Sequence, residues 1–318
     1  MKRYILLLFA AVFAASGFSQ GRYVKNVRVT KTISLEMSIG LDWDDADSLC
    51  FSGDLQPRDM QNLKQVICLT PNLTGIDMRM CTVPGDTLHS IRCYMVNKFM
   101  TPKKLRYFRL PKDVKVLSGT FYQMTLANFR IPSSVRLIKS EAFAGTTFLN
   151  DLVIEEGLER IKAASFSGAV LPKNIYLPST LSIVGPECFN VFHREENKGK
   201  EVNFWYNRMT PPYFNALDED DGDGDGGPFY YNYVPKEWTL YVPIGAKEAF
   251  AADKHWGCFS KIIETDKLSG NQTNNIREVE ENTENADKTY TISGQYVGTD
   301  FNSLPSGVYV MRGKKVVK

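Results

Sequence analysis

The densest cluster of side chains able to do chemistry is the run Asp218-Glu-Asp-Asp-Gly-Asp-Gly-Asp-Gly-Gly227. Within it Asp221, Asp223, Asp225 and Gly226 stand at positions 1, 3, 5 and 6 of a calcium loop, where alternating carboxylates converge on one hard cation and glycine allows the sharp turn. Position 12 is Asn232 in place of a bidentate Glu, and no helical pattern precedes the run. The three aspartates are therefore a calcium candidate inside what otherwise reads as a solvated acidic insertion. No other cofactor is indicated. Gly222-x-Gly224-x-x-Gly227 in the same run is a formal phosphate-loop match, but it follows no strand and its carboxylates repel phosphate.

Other reactive types are sparse. His89, His193 and His255 form no spaced ligand pair, and there is no Gly-x-Ser-x-Gly nucleophile turn. Cys50, Cys68, Cys81, Cys93, Cys188 and Cys258 include no CxxC pair, which argues against a zinc or redox motif. Buried thiols are expected, with at most one bridge among the first four. An enzyme is not expected.

The elements that carry these residues repeat. Leu105-Arg-Tyr-Phe108-Arg-Leu110-Pro111 is followed by Val114, Leu117 and Phe121; Leu126-Ala-Asn-Phe129-Arg-Ile131-Pro132 by Val135, Ile138 and Phe143. Leu149-Asn-Asp-Leu152-Val-Ile154 leads to Leu158, Ile161 and Phe166, and Ile175-Tyr-Leu177-Pro178 to Leu181, Val184 and Phe189. The closing Phe recurs at spacings of 22, 23 and 23 residues. Each apolar-x-apolar step has a period of two, so both apolar side chains face one side of a short strand. The following Pro ends the strand because it has no N–H for the ladder. Phe143 and Phe166 lie in small-residue segments suited to a tight helical turn. One unit cannot bury its own apolar face, so units must stack and be capped.

The pattern Leu-x-x-Ile-x-Ile-Pro-x-x-Val-x-x-Ile-x-x-x-Ala-Phe, clearest at Ile131-Pro-Ser-Ser-Val135 and Glu141-Ala-Phe143, resembles the BspA-like leucine-rich repeats. Leu49-Cys-Phe-Ser-Gly53 with Leu73-Thr-Gly-Ile76 resembles that family's opening segment, and Thr210-Pro-Pro212, Leu240-Tyr-Val-Pro243 and Trp256-x-x-Phe259 its closing cap. The resemblance covers roughly residues 45 to 264. It implies an α/β solenoid with one curved strand face. Val191 to Lys200 departs from the spacing, which leaves the register of Val202-Asn-Phe204-Trp-Tyr206 open.

The ends differ from the middle. Lys2 and Arg3, the apolar run Ile5 to Ala15 and Gly17-Phe18-Ser19 read as a secretory signal over residues 1–19. No later run is apolar enough for a membrane helix. Without Lys2 and Arg3, the 38 basic residues fall to 36 against 36 acidic ones, which argues against a nucleic-acid partner. Residues 20–98 read as an N-terminal cap with divergent repeats, 99–264 as repeats with a closing cap, and the Asn- and Glu-rich stretch 265–288 as a linker. Residues 289–318, with Tyr290-Thr-Ile-Ser-Gly-Gln295 and Leu304-Pro-Ser-Gly-Val-Tyr309, read as a small β unit and resemble a type IX secretion sorting domain. That resemblance implies contact with the secretion machinery and a place outside the cell.

If Phe108 and Leu110 point inward, Tyr107 and Arg109 point outward. The same register turns out Asn128 and Arg130, Asp151 and Val153, Asn174 and Tyr176, then Asn203 and Trp205. Arg, Asn and aromatic groups stacked in rows form the candidate ligand-binding face. The expected function is recognition or adhesion at the cell surface, towards a protein or glycan of a host or another bacterium. The alternative is a non-adhesive structural component of the envelope. Asp47-Ser48-Leu49 and Asp86-Thr87-Leu88 resemble O-glycosylation sites of related surface proteins.

Overall fold

The computed structural model describes residues 24–32, 34–35, 38, 45–70, 72–89, 91, 104–191, 194–216 and 227–268, and the strand backbones 289–291, 296–298, 308–311 and 314–317. The leader, most of the linker, His193 and the acidic run with Asp221, Asp223 and Asp225 lie outside the described residues. The chain divides into two compact units, Met1–Gly270 and Asn271–Lys318.

Among the described residues every strand pairing in the first unit is parallel, and the repeats containing Phe143 and Phe166 each give one short strand to each of three ladders. The first ladder joins Arg130–Ile131, Leu152–Ile154, Asn174–Leu177, Asn203–Tyr206, Thr239–Val242 and Ile262–Glu264 in chain order. A four-stranded sheet of Val24–Val29, Ser48–Asp54, Gly75–Thr82 and Tyr107–Arg109 precedes it. The second ladder runs through Thr87–Leu88, Val116–Leu117, Leu137–Ile138, Arg160–Ile161, Ile183–Val184 and Tyr213–Phe214. Lys104–Leu105, Thr125–Leu126 and Thr147–Phe148 form the third, which a bridge from Thr147 extends to Val170. This is a repeat-strand fold with few helices. The α-helices Pro57–Leu69 and Lys247–Ala252 stand outside the regular repeats.

The sequence period becomes a column of rings. Phe121, Phe143, Phe166 and Phe189 are buried and stack with centroids 5.2, 4.9 and 5.3 Å apart. Phe229 continues the column at 5.9 Å, although 40 residues separate it from Phe189. Around the column pack Val114, Val135, Leu158 and Leu181, then Leu117, Ile138, Ile161 and Val184, all fully buried. One apolar core runs from Val27 to Phe259.

The expected helical turns before these rings are instead non-helical turns. Two residues before each Phe the backbone is left-handed, at Gly119 (φ 56°), Glu141 (57°), Ala164 (52°), Glu187 (50°) and Gly227 (73°). The Phe N–H then donates sideways to the next repeat: Phe143 to Ser165 O at 2.8 Å, Phe166 to Cys188 O at 2.8 Å and Phe189 to Pro228 O at 2.9 Å. A donor used between repeats is not available to an i−4 carbonyl, so no helix forms.

The irregular stretch after Val191 is pinned in place. Asn197, 5% exposed, donates from Nδ2 to Ala169 O at 2.7 Å and accepts from Leu171 N–H at 3.1 Å. At the end of the unit Trp238, Phe250, Trp256 and Phe259 close the core.

Cys50, Cys81, Cys188 and Cys258 are free thiols, so a bridge among the first four does not involve Cys50 or Cys81; the side chains of Cys68 and Cys93 lie outside the described residues. Ser48 is only 5% exposed, which removes it as an acceptor for a glycan. The second unit contains an antiparallel sheet ordered Tyr296–Gly298, Thr289–Thr291, Val308–Met311 and Lys314–Val317. Among the described residues no helix is long and apolar enough to cross a membrane.

Candidate functional site

The first ladder settles which side chains share its outer face. Arg130 pairs with Val153, Val153 with Tyr176, Tyr176 with Trp205, Trp205 with Tyr241 and Tyr241 with Ile263. Neighbouring Ile154, Leu152, Ile175, Phe204 and Leu240 are buried on the opposite side. Pairing of Asn203 with Asn174 and of Trp205 with Tyr176 carries the row across the irregular stretch. In the preceding sheet Asp77 pairs with Arg109, so these residues hold the same outward position.

The row divides into an ionic half and an aromatic half. Arg79 Nη2 lies 2.7 Å and Arg109 Nη1 3.0 Å from Asp77 Oδ2. The Arg109 guanidinium also sits 4.9 Å from the centre of the Tyr107 ring. Partial burial raises the Asp77 pKa, but hydrogen bonds from Arg79 and Arg109 outweigh it and hold the carboxyl at about 2. Arg130 donates from Nη1 to Glu155 Oε1 at 3.1 Å, while Glu155 Oε2 accepts from Ser133 N–H at 3.0 Å. Both arginines expected to face a ligand are thus engaged within the chain.

In the aromatic half, Tyr176 and Trp205 stack at 5.8 Å and 17°, and Trp205 and Tyr241 at 4.0 Å and 6°. Asn174 is the hub beneath them. Its Nδ2 donates to both Asp151 oxygens at 3.1 Å, and its Oδ1 accepts from Trp205 Nε1 at 3.1 Å and from Asn203 Nδ2 at 3.2 Å. Each amide atom has a partner, which fixes the indole in one orientation. Burial, with the Asp151 charge second, pushes the Tyr176 hydroxyl up, so it stays a neutral donor. Ile263, 43% exposed, ends the row.

Two expected members sit differently. Asn128 has a left-handed backbone (φ 48°) and donates from Nδ2 to Arg106 O at 3.3 Å, which makes it a turn residue beside the face. Val153 is in outward register but only 3% exposed. Sequence reasoning missed Asp77, Tyr241 and Ile263. Leu240-Tyr-Val-Pro243 has the apolar-x-apolar-Pro form of Ile175-Tyr-Leu177-Pro178, so the signal for Tyr241 was present inside the segment read as cap.

Among the described residues no group of three or more His, Cys, Asp or Glu side chains could hold a metal ion. Asn232, at position 12 of the calcium pattern, has Oδ1 2.9 Å from His255 Nδ1. His89 is exposed and His255, at 9%, is buried beside the Phe214 ring.

Short parallel strands returning every 21 to 23 residues around a column of Phe side chains make this a repeat-strand region. Residues 81–196 match the family described as BspA type leucine rich repeat region, in six copies. The match begins at Cys81, upstream of the units readable from spacing, and takes in Thr87–Leu88, the first strand of the second ladder. Comparison with curated proteins gave no match.

Proposed function

We propose that the chain is a secreted, non-enzymatic surface protein whose repeats stack into a solenoid that binds a protein or glycan through the outer face of the first ladder. The observation that carries this reading is the preorganised strip Tyr176–Trp205–Tyr241, with the Asp151–Asn174–Asn203 network locking it from one side. Rigid amphipathic rings lose little conformational freedom on binding and dominate interface energetics. Because the rings cover one another's faces, a ligand meets their edges and hydroxyls, which suits carbonyl oxygens and aromatic faces of a protein better than the flat stacking of a sugar. In this reading residues 289–318 are the address for type IX export, and secretion follows cleavage after Ser19.

The test is binding of the mature chain to arrayed matrix proteins and glycans, beside Trp205→Ala and Arg109→Glu/Arg130→Glu variants matched for thermal stability. Saturable binding that Trp205→Ala weakens about 30-fold, the size of a hot-spot loss, is the expected result. Loss with the double Arg variant alone would move the site to the ionic half. Absence of any saturable partner would overturn the reading in favour of an envelope scaffold.

A further inference from the structure

A stack of parallel strands has two ends, and here the two match. At the closing end Ile262–Glu264 is the last strand of the first ladder. Lys261 O accepts from Leu240 N–H, and Thr265 N–H donates to Val242 O, each at 2.9 Å. In that parallel register the backbone N–H and C=O groups of Ile262 and Glu264 turn to the opposite side, where no strand of the described residues meets them. The edge is held in shape, because Glu264 Oε1 accepts from Gly245 N–H at 2.9 Å and from Lys247 N–H at 3.0 Å. It is also unguarded. The last strand of the second ladder, Tyr213–Phe214, follows Pro211-Pro212, which takes a backbone donor from its edge. No proline stands within five residues of Ile262, and the exposed Ile263 lies at the strand's centre.

At the opening end Val24–Val29 is the terminal strand of the four-stranded sheet. It runs parallel to Ser48–Asp54, buries Val27 and Val29, and exposes Val24, Asn26 and Arg28. Laid along Ile262–Glu264 in the same direction, such a strand keeps the polarity of every pairing among the described residues of the unit. Val27 then stands beside Ile262, which packs against the core, and Arg28 stands beside Ile263 on the outer side. The charges agree with that register. Residues 24–32 carry Lys25, Arg28 and Lys31 and no acid, whereas residues 262–266 carry Glu264 and Asp266 and no base. Lys31 falls opposite Asp266, and both are exposed.

We propose that the closing edge Ile262–Glu264 takes the Val24–Val29 strand of a second copy of this chain, paired in parallel, so that copies add head to tail. The contact joins two different surfaces and does not close on itself, so it builds open chains and not dimers. It rests on strand edges and is independent of the Tyr176–Trp205–Tyr241 strip.

The test is sedimentation velocity of the mature chain over a range of concentrations. The weight-average coefficient should keep rising past that of a dimer, with a stepwise Kd on the order of 100 µM for so short an edge. Ile263→Arg sets a cation beside Arg28, and Asp266→Lys sets one opposite Lys31; each should weaken association at least about fivefold. Both positions are exposed, so each variant folds as the wild type does, which thermal unfolding checks. Trp205→Ala should leave the association unchanged. A chain monomeric at every concentration would overturn the proposal and leave the edge to a strand of another protein. Association that stops at a dimer would overturn it as well, since that needs a two-fold contact. So would association that both Ile263→Arg and Asp266→Lys leave intact, or that Trp205→Ala abolishes, because the copies would then meet elsewhere.

Discussion

Replacing Glu141 with glycine should make the protein more stable, against the usual direction of such a change. Glu141 is exposed, its φ is 57°, and it stands two residues before the stacked Phe143. A left-handed conformation costs an L-residue roughly 1–2 kcal/mol, which glycine does not incur. Glycine loses about 0.5–1 kcal/mol through its freer unfolded chain. With no side-chain burial to forfeit and the Ala144 N–H to residue 141 carbonyl bond (3.2 Å) intact, the net gain is about 0.5–1 kcal/mol. In a unit of this size that raises Tm by roughly 1–4 °C. Urea unfolding followed by circular dichroism measures it. Glu141→Ala keeps the strain and should fall within about 0.5 kcal/mol of wild type. Gly145→Ala is the reverse case: φ is 67°, an added Cβ would meet Gln123 Cγ at 2.9 Å, and the expected loss is at least about 1–2 kcal/mol. If Glu141→Gly destabilises as glycine does at ordinary exposed positions, the left-handed turn is not what sets the ring period.

Two further outcomes follow from the core and the ionic half. Phe166→Ala removes a fully buried ring stacked on both faces, at 4.9 Å from Phe143 and 5.3 Å from Phe189, and should cost about 4–5 kcal/mol, near the top of the range for buried aromatics. Phe166→Leu should lose less than half of that in the same denaturation, and equal losses would show that ring stacking adds nothing to volume. Asp77→Asn should destabilise at neutral pH by roughly 1 kcal/mol, the value suggested by the pKa after allowance for solvent screening. The folded pKa of about 2 lies below the ordinary 3.8, so the stabilisation is complete above pH 3.8 and disappears as pH falls through 2. The gap between wild type and variant should close over that window, and a gap that persists at pH 2 would assign the effect to packing.

What was legible in the sequence was whatever depended on one repeat at a time. Phe121, Phe143, Phe166 and Phe189 declared the period, and the alternation Phe108/Leu110 to Ile175/Leu177 declared which side chains face in. The structure keeps that register through Trp205. Hidden were features set between repeats. The left-handed turns carry Gly, Glu, Ala, Glu and Gly at equivalent positions, so no residue type marks them. Phe229 joins the column only after a long excursion, because its place is decided by the Phe189–Pro228 bond and not by distance along the chain. Tyr241 and Ile263 were assigned to a cap because the spacing had already lapsed, yet a parallel ladder registers each strand on its neighbour and ignores the length of the loop between.

That same independence of loop and ladder shapes the proposed binding face. Arg109 and Arg130 have the composition of hot-spot residues, but each is held by a carboxylate within the chain, and a partner must replace that pairing before it gains anything from either guanidinium. The aromatic strip requires no such exchange: Trp205, at its centre, donates along the face to Asn174, and the ring edges are left for solvent or a ligand. Affinity should therefore concentrate at Tyr176, Trp205 and Tyr241, with the arginines governing salt dependence and the rate of encounter. Within the first ladder the strands bearing these rings are those separated by the longest excursions, so insertions can be remodelled around the strip without disturbing the register that aligns it.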